Sequence, residues 1–110
     1  IEASLSSVTL KRVTPKIPAE FALHPAYPNP FNPVTTLSYD IPEGSWVKLE
    51  IYDMIGKHVK QLVDGRQEAG YKSVIWDATD DFGSSVSAGV YLFRIKSGEF
   101  TRTGKVIMLK

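Results

Sequence analysis

The strongest constraint on how this chain folds is an alternation of apolar and polar residues with a period of two, recurring in short runs. From Val34 to Ile41 the residues Leu37, Tyr39 and Ile41 alternate with Thr36, Ser38 and Asp40. From Trp46 to Asp53, Val47, Leu49 and Ile51 face one way while Lys48, Glu50 and Tyr52 face the other. Such a pattern gives a strand one buried and one wet face. Further strands are read at Val59 to Val63, at Ser73 to Asp77 with Val74 and Trp76 on one face, at Val90 to Ile95 and at Thr103 to Leu109. The turns between them are Pro42-Glu43-Gly44, Gly56-Lys57, a polar loop bracketed by Asp64-Gly65 and Gly70, a long turn from Asp80 to Gly89, and Ser97-Gly98. No helical period of useful length competes, so six or seven short strands predict an all-β fold, an antiparallel β-sandwich.

A second constraint lies between Pro25 and Pro33. There Pro25, Pro28, Pro30 and Pro33 surround Asn29 and Asn32, removing backbone donors and fixing φ at four nearby positions. No helix or central strand passes through it. Because Tyr27 and Phe31 punctuate the stretch, it is expected to be an ordered, extended segment along the domain surface with its aromatics buried. Residues 1–20 mix Ser, Thr and Lys with Pro15 and Pro18 and read as a linker, with a strand at Leu5 to Val13 that could belong to an upstream region. Residues 21–110 are then the domain.

Composition removes several function classes. At 110 residues, with 43% hydrophobic and 23% charged side chains, the chain is one foldable domain and neither disordered nor membrane-spanning. Thirteen Lys and Arg against twelve Asp and Glu leave a net charge of +1, no surplus field for nucleic acid. Without cysteine there is no disulfide, thiolate metal site or cysteine nucleophile. Apolar runs as short as Val106 to Leu109 provide neither a transmembrane segment nor the core of a signal peptide, so export would need an upstream targeting piece.

The successive stretches "FALHPAYPNPFNPVTTLSYDIP", "VKLEIYDMIGKHVKQLVDG", "AGYKSVIWDATDDFG", "SAGVYLFRIKSGEF" and "TGKVIMLK" resemble the C-terminal sorting domain of cargo of the bacterial type IX secretion system. The same pattern is similar to the immunoglobulin-like domain of flagellar hook-capping proteins. The resemblance spans Phe21 to Lys110. It implies an immunoglobulin-like sandwich of about seven strands on a larger secreted or cell-surface bacterial protein that travels by way of the periplasm. It also implies two partners, the outer-membrane secretion machinery and a sortase-like peptidase that commonly removes the domain, in some members with exchange for a surface anchor. The family pattern falls on Gly56, Gly70, Trp76, Asp77, Gly83, Gly89 and Tyr91, expected to be structural, and on Lys105. Recognition is expected at the last strand, on Lys105, Val106, Ile107, Met108, Leu109 and Lys110, whose unpaired backbone on one side would accept strand addition.

Chemical alternatives are weaker. Asp77, Thr79, Asp80 and Asp81 before Gly83 imitate a calcium loop, but Phe82 stands where an EF-hand has Gly and Ala88 where it has Glu. An acidic, self-capping turn is the preferred reading, with a weak calcium site as the rival. His24 and His58 are not spaced for a shared metal, no GxSxG turn is present, and isolated glycines open no phosphate loop. Carboxylates at Glu50, Asp53, Asp64, Glu68 and Asp77 build no evident catalytic pair. The expectation is a non-catalytic domain without cofactor or metal. The alternative from another class is a carbohydrate-binding or structural module with Trp46, Tyr52, Tyr71 and Phe100 as an aromatic platform. Cover of Trp46 and Tyr52 by the proline-rich segment is expected to exclude that use.

Overall fold

The computed structural model of the chain describes residues 17–110, so the strand read at Leu5 to Val13 lies outside the described residues. Seven strands follow in order: β1 (Ala22–Leu23), β2 (Thr35–Ile41), β3 (Ser45–Asp53), β4 (His58–Gln67), β5 (Gly70–Trp76), β6 (Gly89–Ser97) and β7 (Phe100–Met108). They form two antiparallel sheets, β1-β2-β5 and β4-β3-β6-β7. The expected antiparallel sandwich is the fold.

The alternation read from sequence is what closes the sandwich. Leu37, Tyr39 and Ile41 of β2 meet Val47, Leu49 and Ile51 of β3, Phe93 and Ile95 of β6 and Val106 of β7 in one buried core. At roughly 25 cal/mol per Å² of apolar surface removed from water, each such side chain is worth about 1.5–3 kcal/mol. Trp76 ends β5 at the centre of an aromatic cluster, 5.6 Å from the ring of Phe31 and 5.3 Å from that of Tyr91. Its indole N–H donates to the Thr79 carbonyl at 2.9 Å, so the buried donor is not left unpaired.

Three local expectations are corrected. Asp64 and Gly65 do not open a loop; β4 continues through both to Gln67, and the chain reverses at Glu68-Ala69. The reason lies in pairing: Val63, Asp64 and Gly65 sit opposite Leu49, Lys48 and Val47, and the Asp64 carboxylate takes the Trp46 indole N–H at 2.8 Å. Tyr27 is not buried but 79% exposed. It exchanges two backbone hydrogen bonds with Thr36, and its neighbours Ala26 and Phe31 turn inward instead. Finally, the proline-rich segment does not roof Trp46 and Tyr52. It is tied to β2 and to the end of β7, leaving Trp46 60% exposed on β3.

Candidate functional site

The last strand alternates in the same way as the others. Val106 and Met108 point into the core, Ile107 is half-buried, and Lys105, Leu109 and Lys110 are exposed. On its inner side β7 pairs with β6 from Gly89↔Met108 to Ser97↔Phe100. The expected unpaired outer side is occupied from Lys105 to Leu109. Phe31 N–H donates to the Ile107 carbonyl at 2.9 Å, and Leu109 N–H donates to the Phe31 carbonyl at 2.9 Å, a parallel bridge one residue long. Asn29 extends it: its Oδ1 accepts from Ile107 N–H at 2.9 Å and its Nδ2 donates to the Lys105 carbonyl at 3.1 Å.

Strand addition at Lys105 to Lys110 is therefore blocked by the chain itself. Prolines explain why this segment can do it: with few N–H groups of its own to satisfy, it serves as a short, non-propagating edge cover. What the six candidate residues offer to solvent is a composite surface. Lys105 is exposed where its carbonyl meets exposed Asn29, and exposed Leu109 and Lys110 line a shallow depression with Asn32 and Pro33.

The structural positions fall on turns and on the core. Gly56 and Gly83 lie at φ 88° and 84°, the left-handed region that disfavours a Cβ, each three residues after an aspartate. Asp53 Oδ1 accepts from the N–H groups of Ile55 and Lys57 at 3.0 and 2.9 Å; Asp80 Oδ1 accepts from Phe82 and Ser84, both at 2.9 Å. The self-capping turn expected across Asp77 to Asp81 is thus centred on Asp80, whereas Asp53 was not foreseen as a cap. The repeated Asp-x-x-Gly spacing was the available signal. Asp77 instead accepts the Thr79 hydroxyl, a bond that holds its carboxyl below the usual range. Gly70 and Gly89 open β5 and β6, and the buried Tyr91 donates its hydroxyl to the Ser87 carbonyl at 2.6 Å.

The acidic turn is not arranged around an open centre. Asp81 Oδ1 takes the Gln61 N–H at 2.9 Å, and the Lys60 ammonium reaches Thr79 Oγ1 at 3.1 Å and the Asp80 carbonyl at 3.2 Å. A cation of the chain's own thus stands among these oxygens. Among the described residues no three His, Asp or Glu side chains converge as metal ligands. His24 pairs with Asp40 at 2.9 Å, while His58 lies 3.3 Å from Glu50 and 3.5 Å from Asp81.

Trp46, Tyr52, Tyr71 and Phe100 do not make a platform. Tyr71 belongs to the other sheet, and Tyr52 lies six positions along β3 from Trp46, roughly 20 Å at strand rise. Tyr52 is held by Glu50 and Arg94, and the Phe100 ring stacks on Phe21 at 5.1 Å.

Residues 33–99 match the model of the FlgD Ig-like domain. Among solved structures, dimeric latent PorU from Porphyromonas gingivalis superposes with a TM-score of 0.65 at 22% identity, over 81% of this chain and 9% of that one. PorZ of the same organism, described as an essential bacterial surface component of the type IX secretion system, gives 0.56 at 18% identity over 81% of this chain and 12% of its own. FlgD from P. aeruginosa shares 28% identity at a TM-score of 0.54, over 67% of this chain and 58% of that chain. FlgD from Xanthomonas campestris, a hook-capping protein, shares 25% at 0.54, over 83% and 63%. The chain therefore spans about a tenth of each Porphyromonas protein and about three fifths of each FlgD. No curated protein matches it significantly.

Proposed function

The chain belongs to the family of FlgD Ig-like domains, and from that premise we propose that it is a non-catalytic C-terminal sorting domain directing a larger cargo protein through the outer membrane by the type IX secretion system. The route runs by way of the periplasm to the medium or the cell surface. The likeness in fold to PorZ, itself a surface component of that system, supports this choice among the uses of the family.

The observation that carries the reading is the clamp. The stretches "YPNPFNP" and "TGKVIMLK", far apart in sequence, are joined by four hydrogen bonds between Asn29 or Phe31 and Lys105, Ile107 and Leu109. A receptor reading this end of the domain meets both at once and only when the domain is folded. The secretion machinery would dock on Lys105, Leu109, Lys110 and the adjoining prolines, and the sortase-like peptidase would act in the linker before Phe21.

Truncation is a poor test, because removing residues 105–110 takes Val106 and Met108 from the core. The informative experiment fuses the chain behind a periplasm-directed fluorescent reporter in a type IX bacterium and compares it with Lys105→Glu, Leu109→Ser and Lys110→Glu, alone and combined. Export of the parent that needs a working translocon, with the folded triple variant retained in the periplasm, is the expected result. Retention of the intact, folded parent while a control cargo is exported overturns the sorting role. Export of parent and triple variant alike removes the recognition surface.

A further inference from the structure

A sandwich of two open sheets has four edges, and three of them are guarded over at least part of their length. The β7 edge is clamped by Asn29 and Phe31 from Lys105 to Leu109, and β1 is only two residues long. The β4 edge carries two register shifts against β3 and is crossed by the β5–β6 connection, where Asp81 N–H donates to the Val59 carbonyl and Asp81 Oδ1 accepts from Gln61 N–H. Bulges, short edges and covering loops are the usual devices against edge pairing. Among the described residues the seven of β5 have none of them: their register with β2 runs unbroken from Thr35↔Trp76 to Ile41↔Gly70.

The direction of the β5 backbone groups follows from β2. Thr36 exchanges both its backbone bonds with Tyr27, and the Ser38 carbonyl accepts from His24 N–H, so Thr36 and Ser38 address β1. Alternation then turns Leu37 and Tyr39 toward β5, where they meet Val74 and Lys72. Tyr71, Ser73 and Ile75 are left with N–H and C=O groups directed away from the sheet. None of these six groups has a hydrogen-bond partner among the described residues. The side chains of the same three residues lie on the exposed face, with Tyr71 and Ile75 each 60% exposed.

We propose that the β5 edge is a self-association surface, and that its occupant is β5 of a second copy of this chain, antiparallel about a twofold axis through Ser73. The segment Tyr71-Lys72-Ser73-Val74-Ile75 is complementary to itself in this register. Ser73 faces Ser73 and Tyr71 faces Ile75 on both sides of the axis, so all six outward groups find partners in six hydrogen bonds. Two aromatic to β-branched cross-strand pairs form on the exposed face, a favoured combination. Lys72 falls opposite Val74, so no like charges are opposed. Shifting the register by two residues leaves some of the six groups unpaired and breaks both apolar pairs. The two three-stranded sheets become one of six strands, a closed C2 arrangement with no further growth through β5. A single strand pair buries less than a standard interface, so the dimer is weak and depends on concentration.

The test is sedimentation of the full chain from about 10 μM to about 1 mM, a range that brackets weak association. Alongside it run Ser73→Lys, Ser73→Glu and their equimolar mixture. Ser73 is exposed and its backbone faces away from β2, so both variants keep the fold, checked by circular dichroism. The parent is expected to dimerise, each variant to associate about tenfold or more weakly because like charges oppose across the axis, and the mixture to recover as a heterodimer. Three results overturn the proposal. One is a parent that stays monomeric throughout the range. Another is association untouched by either charge, including association lost only when residues 1–16 are removed. The third is a mixture that fails to recover.

Discussion

Asn29 bonds the backbone on either side of Val106 as a strand would: Oδ1 accepts from Ile107 N–H and Nδ2 donates to the Lys105 carbonyl. A side-chain amide thereby substitutes for a peptide unit at a place where the flanking prolines provide few N–H groups. The consequence is architectural. The proline-rich segment and the last strand are stitched directly, so β7 ends in a closed edge.

Asn29→Ala removes both bonds. At about 0.5–1.5 kcal/mol each, the expected loss of stability is about 1–3 kcal/mol, with faster hydrogen exchange at Ile107. Asn29→Asp keeps the acceptor for Ile107 but sets a carboxylate oxygen against the Lys105 carbonyl, and should cost at least half as much at neutral pH. Urea unfolding with amide exchange measures both. An Asn29→Ala midpoint equal to that of the parent would show the clamp to be energetically idle.

Gly104 faces Phe93 across β6 and β7, and a Cβ built there would come within 2.7 and 2.8 Å of Phe93 Cε2 and Cε1. The ring, itself fully buried, lies over the space a side chain would need. Gly104→Ala is therefore expected to destabilise by about 1–3 kcal/mol through overpacking. Phe93→Leu makes room at its own cost, so the double variant should lose less than the sum of the two. A double-mutant cycle in urea that came out additive would count against the steric account.

Much of this fold is legible in the sequence because burial enforces period two wherever one face meets the core. β2, β3, β6 and the end of β7 show it, and their boundaries were read to within a few residues. β4 was shortened because its two register shifts change which residues face inward, so Val59, Leu62 and Val63 no longer alternate cleanly. Asp64-Gly65, ordinarily a turn signal, was outweighed by pairing with Lys48 and Val47. The clamp left no trace in local pattern, since Asn29 and Ile107 are 78 positions apart and the contact runs from side chain to backbone. The exposure of Tyr27 was missed for a related reason: its main chain, not its ring, is what bridges to β2.

The two Asp-x-x-Gly turns make a matched pair for experiment. Asp80 and Asp53 each hold two backbone N–H groups, so Asp80→Ala and Asp53→Ala should each cost about 0.5–2 kcal/mol, as loss of a helix cap does. Asn at either position keeps one acceptor oxygen and should restore most of that. Because Lys60 already sits against Thr79 and the Asp80 carbonyl, millimolar calcium should leave the melting temperature of the parent unchanged. A calcium-dependent rise in melting temperature, lost in Asp80→Ala, would establish the metal site that the turn imitates.

The alkaline limb of stability should belong to tyrosines. Burial raises the phenol of Tyr39 above its ordinary value of 10.0, against the opposing hydrogen bond to Gln67. Tyr52 and Tyr91 are also raised, first by burial and then by neighbouring Glu50 and Asp53 respectively. A group whose pKa is higher folded than unfolded keeps its proton longer in the folded state, so the unfolded chain binds fewer protons once pH exceeds the unfolded value. Stability from these groups is complete below about pH 10 and falls as pH rises through and beyond it. Tyr39→Phe should lower stability near neutrality by about 0.5–1.5 kcal/mol, since the 2.7 Å bond to Gln67 is lost, while flattening the fall above pH 10. Urea midpoints between about pH 8 and about pH 11 decide it. Parallel curves for parent and Tyr39→Phe would remove Tyr39 from the alkaline transition and leave Tyr52 and Tyr91 to account for it.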